Sequence, residues 1–150
     1  MTVFVTGISG LLGTNLVLLL LQKGYHVKGL IRHRNSYKPG AHERLQLISG
    51  ELTDDISMYL KDVDILIHVA AVTQQNLIRY KDYYQVNYTA TEKLLTCAIE
   101  AGVKRVIYVS TANTIGFGTE PGNDKPEERL MAAPFTQSFY AWSKAAAERY

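Results

Sequence analysis

Two groups of residues in this chain have the types and spacing to do chemistry. The first is Thr6-Gly7-Ile8-Ser9-Gly10-Leu11-Leu12-Gly13, which follows the apolar run Val3-Phe4-Val5 and leads into Leu16-Val17-Leu18-Leu19-Leu20. Three glycines spaced three apart between a strand and a helix suit a pyrophosphate. The first permits a tight turn, and the second lets the backbone approach the phosphates with no Cβ in the way. The third lets the helix pack closely on the sheet, while the free N–H groups of the helix face the anion. The second group is Tyr140-Ala141-Trp142-Ser143-Lys144. Four residues apart on a helix, a phenol and an ammonium project from one face. A fixed cation nearby favours phenolate, which makes the tyrosine a usable proton donor or acceptor. Each group has an inert alternative: a ligand-free turn for the glycines, two solvated helix residues for the pair. Context argues against both, because the pair follows a fifth strand and a long loop, behind the glycine-rich opening.

Positioning these groups falls to alternating strands and helices. After the first helix, Tyr25 to Ile31 reads as strand two and Leu45 to Ser49 as strand three, followed by a short helical stretch from Asp54 to Leu60. Ile65-Leu66-Ile67-His68-Val69 is a short apolar run typical of a buried parallel strand. Val86, Ala90, Leu94, Leu95, Ala98 and Ile99 share one helical face, and Gly102 closes that helix. Arg105 to Ser110 is strand five, residues 111–137 form a long irregular segment, and Ser138 to Tyr150 reads as helix. The expected fold is α/β: a Rossmann doubly wound parallel sheet with helices on both faces. Only five strands are present, and Ala145 to Tyr150 is helix-forming with no stop signal. Residues 1–150 are therefore expected to be an incomplete NAD(P)-binding Rossmann domain, without its C-terminal part or a substrate domain.

Composition narrows the function. A chain of 150 residues that is 47% hydrophobic can bury one real core. Its net charge of +2 gives no reason to expect nucleic acid or an anionic membrane as partner. Cys97 is the only cysteine, which excludes a disulfide framework and a cysteine metal cluster and suits a reducing cytoplasm. Leu16 to Leu21 is far too short to span a bilayer, and Met1 leads straight into a strand rather than a signal-type segment. A small-molecule substrate is expected, no bound metal is, and a homodimer is admitted. His68 lies within a strand and reads as a hydrogen-bonded structural histidine.

Four ordered motifs resemble the N-terminal half of an extended short-chain dehydrogenase/reductase, the group of NAD-dependent epimerases and dehydratases and dihydroflavonol-reductase-like enzymes. Thr6 to Gly13 is similar to the family's glycine-rich opening. Asp64 to Ala71 resembles its strand-four signature, whose small residues, here Ala70 and Ala71, border the cofactor. Asn87-Tyr88-Thr89-Ala90-Thr91 resembles the helix motif with a structural asparagine. Val109 to Gly116 is similar to the segment with the catalytic serine or threonine, which the spacing places at Thr111, with Ser110 one residue away as the fallback. The resemblance implies that Thr111, Tyr140, Lys144 and Asn87 are the catalytic set, and that Gly7, Gly10, Leu11, Leu12, Gly13, Glu51, Leu52, Ala70, Ala71, Tyr140 and Lys144 meet the cofactor. Two departures stand out. Gly50-Glu51-Leu52 replaces the family's frequent Gly-Asp-Leu beside the adenine, and Asn113-Thr114-Ile115-Gly116 replaces a frequent Val-Tyr-Gly ending.

Cofactor choice follows from charge. An acid at the end of strand two would accept hydrogen bonds from a ribose 2′-hydroxyl and repel a 2′-phosphate. Leu30-Ile31-Arg32-His33-Arg34-Asn35-Ser36 contains no carboxylate. Arg32 can grip a phosphate bidentately, with Arg34 and Ser36 assisting, so NADP is expected over NAD. The bland alternative is a pair of solvated arginines. The cofactor is expected across the carboxyl ends of strands one, two, four and five. Thr111 would then bind a substrate oxygen, Tyr140 pass the proton, and Lys144 hold the nicotinamide ribose and lower the tyrosine pKa. The expected reaction is hydride transfer at a carbonyl or secondary alcohol, of the dihydroflavonol-reductase type. A nucleotide-sugar epimerase or dehydratase is the second reading, and a non-catalytic dinucleotide sensor the third.

Overall fold

The computed structural model describes residues 1–74, 77–115 and 137–150. It comprises two compact units: Met1–Ala71 with Ala90–Val109, and Val72–Thr89 with Ser110–Tyr150.

The first unit holds a sheet of five parallel strands, β1 (Thr2–Thr6), β2 (His26–Ile31), β3 (Leu45–Ser49), β4 (Ile65–His68) and β5 (Arg105–Tyr108), in the order β3-β2-β1-β4-β5. Its helices are α1 (Leu11–Gln22), α2 (Ser57–Leu60) and α4 (Ala90–Glu100). Strand periodicity divides the core between the two faces. Val3, Val5, Val27, Ile31 and Ile67 pack with Val17 and Leu21 of α1. Phe4, Leu30 and Leu66 point the other way, onto Leu60 of α2 and Leu94 and Ala98 of α4. That is the doubly wound arrangement expected from alternating strands and helices. Strand order reverses beside β1, so the carboxyl ends of β1 and β4 flank a topological switch point.

Strand three matches its expected bounds, and strands two, four and five are shorter by one or two residues. The helical stretch expected from Asp54 is reduced to α2, because Asp54 and Asp55 turn their carboxylates back onto the backbone N–H groups of Glu51 (2.7 Å) and Ser57 (3.0 Å). Ile99, expected on the buried face of α4, is 72% exposed. Ala90, Leu94 and Ala98 set the true face, and Ile99 lies one residue past its last buried position.

The second unit contains α3 (Tyr80–Tyr84), a π-helical turn at Gln85–Thr89, a 3-10 turn at Ala112–Thr114, and α5 (Phe139–Glu148). Ser138 caps α5 by accepting the N–H of Ala141 at 3.2 Å. The irregular segment expected over 111–137 therefore begins with an ordered turn, and residues 116–136 lie outside the described residues. Tyr80 and Tyr83 of α3 form an aromatic cluster with Phe139, and Tyr80 also meets Trp142 of α5.

Candidate functional site

The glycine-rich turn in the first unit is shaped by backbone crowding at two positions and by open space at the third. Gly7 has φ +73°, and a Cβ there would come within 2.7 Å of the Ala70 backbone nitrogen. A Cβ on Gly13 would lie 2.1 Å from the Gly7 carbonyl oxygen. The third glycine thus clears the first glycine's own carbonyl, a more local demand than the helix-on-sheet packing read from the sequence. Gly10 differs: the one atom within 4 Å of a Cβ there would be the Gly7 oxygen, at 3.4 Å. Nothing in the described fold requires glycine at position 10, whereas an incoming pyrophosphate does. Gly10 also caps α1 without a side-chain hydrogen bond, and the first helical bond runs from Thr14 N–H to its carbonyl at 2.9 Å. The N–H groups of Leu11, Leu12 and Gly13 are left without intrahelical acceptors. Leu11 and Leu12 are 87% and 53% exposed. Space, donors and the helix dipole fit a dinucleotide phosphate.

A buried network holds the β4 side of this turn. The Thr6 hydroxyl accepts from the N–H groups of Val69 (3.2 Å) and Ala70 (3.1 Å) and lies 2.6 Å from His68 Nδ1. Having accepted twice, it donates its single proton to Nδ1. That assigns His68 the Nε2–H tautomer, and Nε2 donates to Thr91 Oγ1 at 2.9 Å. His68 is 1% exposed and stacks on Tyr108, so it has the structural role read from the sequence.

Arg32 emerges exposed from the end of β2, and Arg34–Ser36 forms a 3-10 turn beyond it. Glu51 is exposed and Leu52 half-buried after β3. Ala70 and Ala71, half-buried, follow β4.

The second unit gathers the other candidates around α5. The buried Asn87 side chain accepts from Val72 N–H at 2.7 Å and donates to the Val72 carbonyl and to Ser143 Oγ, each at 3.0 Å. Ser143 in turn donates to the Tyr140 carbonyl at 2.7 Å. Asn87 is thus bonded to the helix carrying Tyr140 and Lys144, one residue before the lysine. Tyr140 is half-buried and Lys144 is 1% exposed. Burial lowers the Lys144 pKa to about 8, against an opposing upward pull from Glu148. Thr111 Oγ1 accepts from Asn113 N–H at 3.3 Å at the head of the 3-10 turn. The Ser110 hydroxyl donates to Glu148 Oε1, and the Thr114 hydroxyl lies 2.9 Å from the same oxygen.

Thr6, Ser143, Thr114 and Glu148 were not singled out in the sequence. Glu148 did leave a signal, standing four residues after Lys144 on a helix, whereas short hydroxyl side chains leave none. Among the described residues no group of three His, Cys, Asp or Glu side chains could hold a metal, and no helix is long and apolar enough to cross a membrane.

Comparison with known proteins agrees with this geometry. The profile of the NAD dependent epimerase/dehydratase family matches residues 3–150. A putative dihydroflavonol 4-reductase of Synechocystis sp. is 33% identical over 149 residues, covering 94% of this chain and 42% of that protein. A UDP-glucose 4-epimerase of Vibrio cholerae is 31% identical, covering 99% and 45%. The solved structure of MoeE5 in complex with UDP-glucose and NAD superposes with a TM-score of 0.79 at 28% identity, covering 99% and 47%. The chain spans less than half the length of these relatives. With its five-stranded parallel sheet, glycine cradle and matched profile, the chain belongs to the NAD dependent epimerase/dehydratase family, of the extended short-chain dehydrogenase/reductase type.

Proposed function

We propose that residues 1–150 are the nucleotide-binding part of an NADP-dependent oxidoreductase acting on a carbonyl or secondary alcohol, of the dihydroflavonol-reductase-like type. The observation that carries this reading is the α5 helix, where a half-buried Tyr140 shares a face with a buried Lys144 and Asn87 bonds the intervening Ser143. A sensor would need no such pair. The 33% identity to a putative dihydroflavonol 4-reductase supports the substrate class. The exposed Arg32, on a β2 end without a carboxylate, supports NADP.

In this reading the N–H groups of Leu11, Leu12 and Gly13 hold the pyrophosphate, Arg32 holds the 2′-phosphate, and Glu51 and Leu52 face the adenine. Ala70 and Ala71 border the cofactor with small side chains. The bound nicotinamide gives or takes the hydride. Tyr140 holds the proton exchanged with the substrate oxygen, and Lys144 holds the ribose and favours phenolate. Thr111 orients the substrate: its Oγ1 accepts from Asn113 N–H, which leaves the hydroxyl proton for a substrate oxygen. Ser110 is the poorer donor, because Glu148 already takes its proton. Asn87 supports Tyr140 and Lys144 through Ser143.

The test is Tyr140→Phe in the protein as encoded in full. Turnover of NADPH with a reducible carbonyl should fall by ~10²-fold or more, with cofactor affinity retained. Wild-type turnover in this variant would remove the proton-transfer role. A nucleotide-sugar epimerase or dehydratase is the second reading, favoured by the 31% identity to a UDP-glucose 4-epimerase. Tightly retained nucleotide with no net NADPH consumption would select it.

A further inference from the structure

We propose that Glu148 is a positioning residue: its carboxylate gathers the Ser110 and Thr114 hydroxyls and so fixes the Thr111 turn on the helix that carries Tyr140 and Lys144. The proposal rests on the roles given above to Thr111, Tyr140 and Lys144. Three observations lead to it. A single oxygen, Glu148 Oε1, accepts from Ser110 Oγ and stands 2.9 Å from Thr114 Oγ1. Those two residues stand one on each side of Thr111: Ser110 precedes it and Thr114 ends the 3-10 turn it caps. The Thr114 hydroxyl also lies 2.8 Å from the Thr111 carbonyl oxygen, so its one proton is shared between that carbonyl and the carboxylate. The turn is thereby tied at both ends, and between the ties Thr111 Oγ1 is aimed by the Asn113 N–H at 3.3 Å.

The helical spacing gives the carboxylate a second use. Glu148 stands one turn after Lys144, on the same face. Its negative charge opposes the effect of burial on that ammonium, which keeps more of the lysine protonated near neutral pH. One side chain therefore serves both the hydroxyl that orients substrate and the cation beside the phenol. Charge-assisted bonds from hydroxyl to carboxylate are among the stronger ones available to a turn. Catalytic groups must be held to within about 0.5 Å, so loosening this turn should act on turnover rather than on cofactor binding.

The experiment compares Glu148→Ala and Glu148→Gln in the protein as encoded in full, near pH 6.5, below the Lys144 titration. Glu148→Ala should lower kcat about 10-fold or more and leave the KM for NADPH nearly unchanged. Glu148→Gln keeps an acceptor oxygen for both hydroxyls and should recover most of that loss. The loss should also be non-additive with Ser110→Ala/Thr114→Val, because both changes cut the same tie. Wild-type kcat in Glu148→Ala, additive losses, or a glutamine variant as impaired as the alanine one would each overturn the proposal. Hydrogen exchange provides a readout independent of turnover. Amides of residues 111–115 should exchange about 10-fold faster in Glu148→Ala than in wild type or Glu148→Gln. If no substrate is reduced by any variant, the reading of function fails while exchange still judges the tie. Unchanged exchange in an active enzyme sinks the tie alone.

Discussion

The Asn87 amide donates to the Ser143 hydroxyl at 3.0 Å, from a buried position in the π-helical turn to the residue just before Lys144. A serine is thus the connection between two residues proposed to act in catalysis. Asn87→Ala removes the donor to Ser143 and both bonds to Val72, so the half-buried Val72 N–H and carbonyl lose this partner and Ser143 keeps only its bond to Tyr140 among those described above. A loss of about 2 kcal/mol or more in unfolding free energy is expected from groups of this kind. Urea denaturation measures it, and a change under about 0.5 kcal/mol would show that the buried network is dispensable.

The three glycines should separate on mutation. Gly7→Ala places a Cβ 2.7 Å from the Ala70 nitrogen at φ +73°, so it should destabilise the protein markedly, by about 2 kcal/mol or more. Gly10→Ala meets no described atom closer than 3.4 Å and should fold normally. It should nonetheless lose dinucleotide binding, because its methyl group occupies the approach to the phosphates. Thermal melting paired with NADPH titration distinguishes the two. Unimpaired binding by a well-folded Gly10→Ala would remove the proposed phosphate position.

Arg32→Asp should exchange preference for NADPH with preference for NADH. A charge-assisted pair with the 2′-phosphate is lost and a repulsion gained, a difference of roughly 1.5–3 kcal/mol against NADPH. Calorimetric titration of both cofactors reads the change directly. Equal NADPH affinity in wild type and variant would return Arg32 to the class of solvated arginines.

Lys144 should leave a signature in the pH dependence of stability of the cofactor-free protein. Its ordinary pKa of 10.5 falls to about 8 on folding, because burial disfavours the charged form. Below pH 8 both folded and unfolded states hold the proton, and folding bears the full cost of burying it. Between about 8 and 10.5 the unfolded state binds a proton that the folded state has released, so stability rises with pH. Wild-type stability measured relative to Lys144→Met should therefore climb across this window. A flat or falling difference would mean that the buried ammonium keeps its proton.

Much of the architecture could be read from residue patterns because the strands are apolar and short, and the turns between them are marked by glycine. Leu45 to Ser49 and the burial of His68 emerged unchanged for that reason. The π-helical turn at Gln85–Thr89, which carries Asn87, was not visible, because one extra residue in a turn leaves no mark in the hydrophobic period. Ile99 misled because a helical stripe does not record where the neighbouring surface ends. At the site, Gly7, Gly10 and Gly13 announced themselves by spacing, yet only the structure reveals that backbone crowds the first and third while the second has room for a Cβ. Counting selected Thr111 and kept Ser110, one residue away, as the fallback. In the structure their partners differ: Ser110 donates to Glu148, and Thr111 Oγ1 accepts from Asn113 N–H, a contrast no residue count contains.

The strand order has a consequence for synthesis on the ribosome. β1 is made before the other four strands of this sheet, and one of its two partners, β4, arrives 62 residues later at the Thr6–His68 pairing. At about 5–20 residues per second, the nascent chain carries β1 for roughly 3–12 s before that edge closes. A β1–β2 pair joined through α1 can form meanwhile, but Phe4 and Leu30 lack α2 and α4 to cover them until later segments emerge. The switch point that creates the crevice also makes the newborn sheet vulnerable to association from one side.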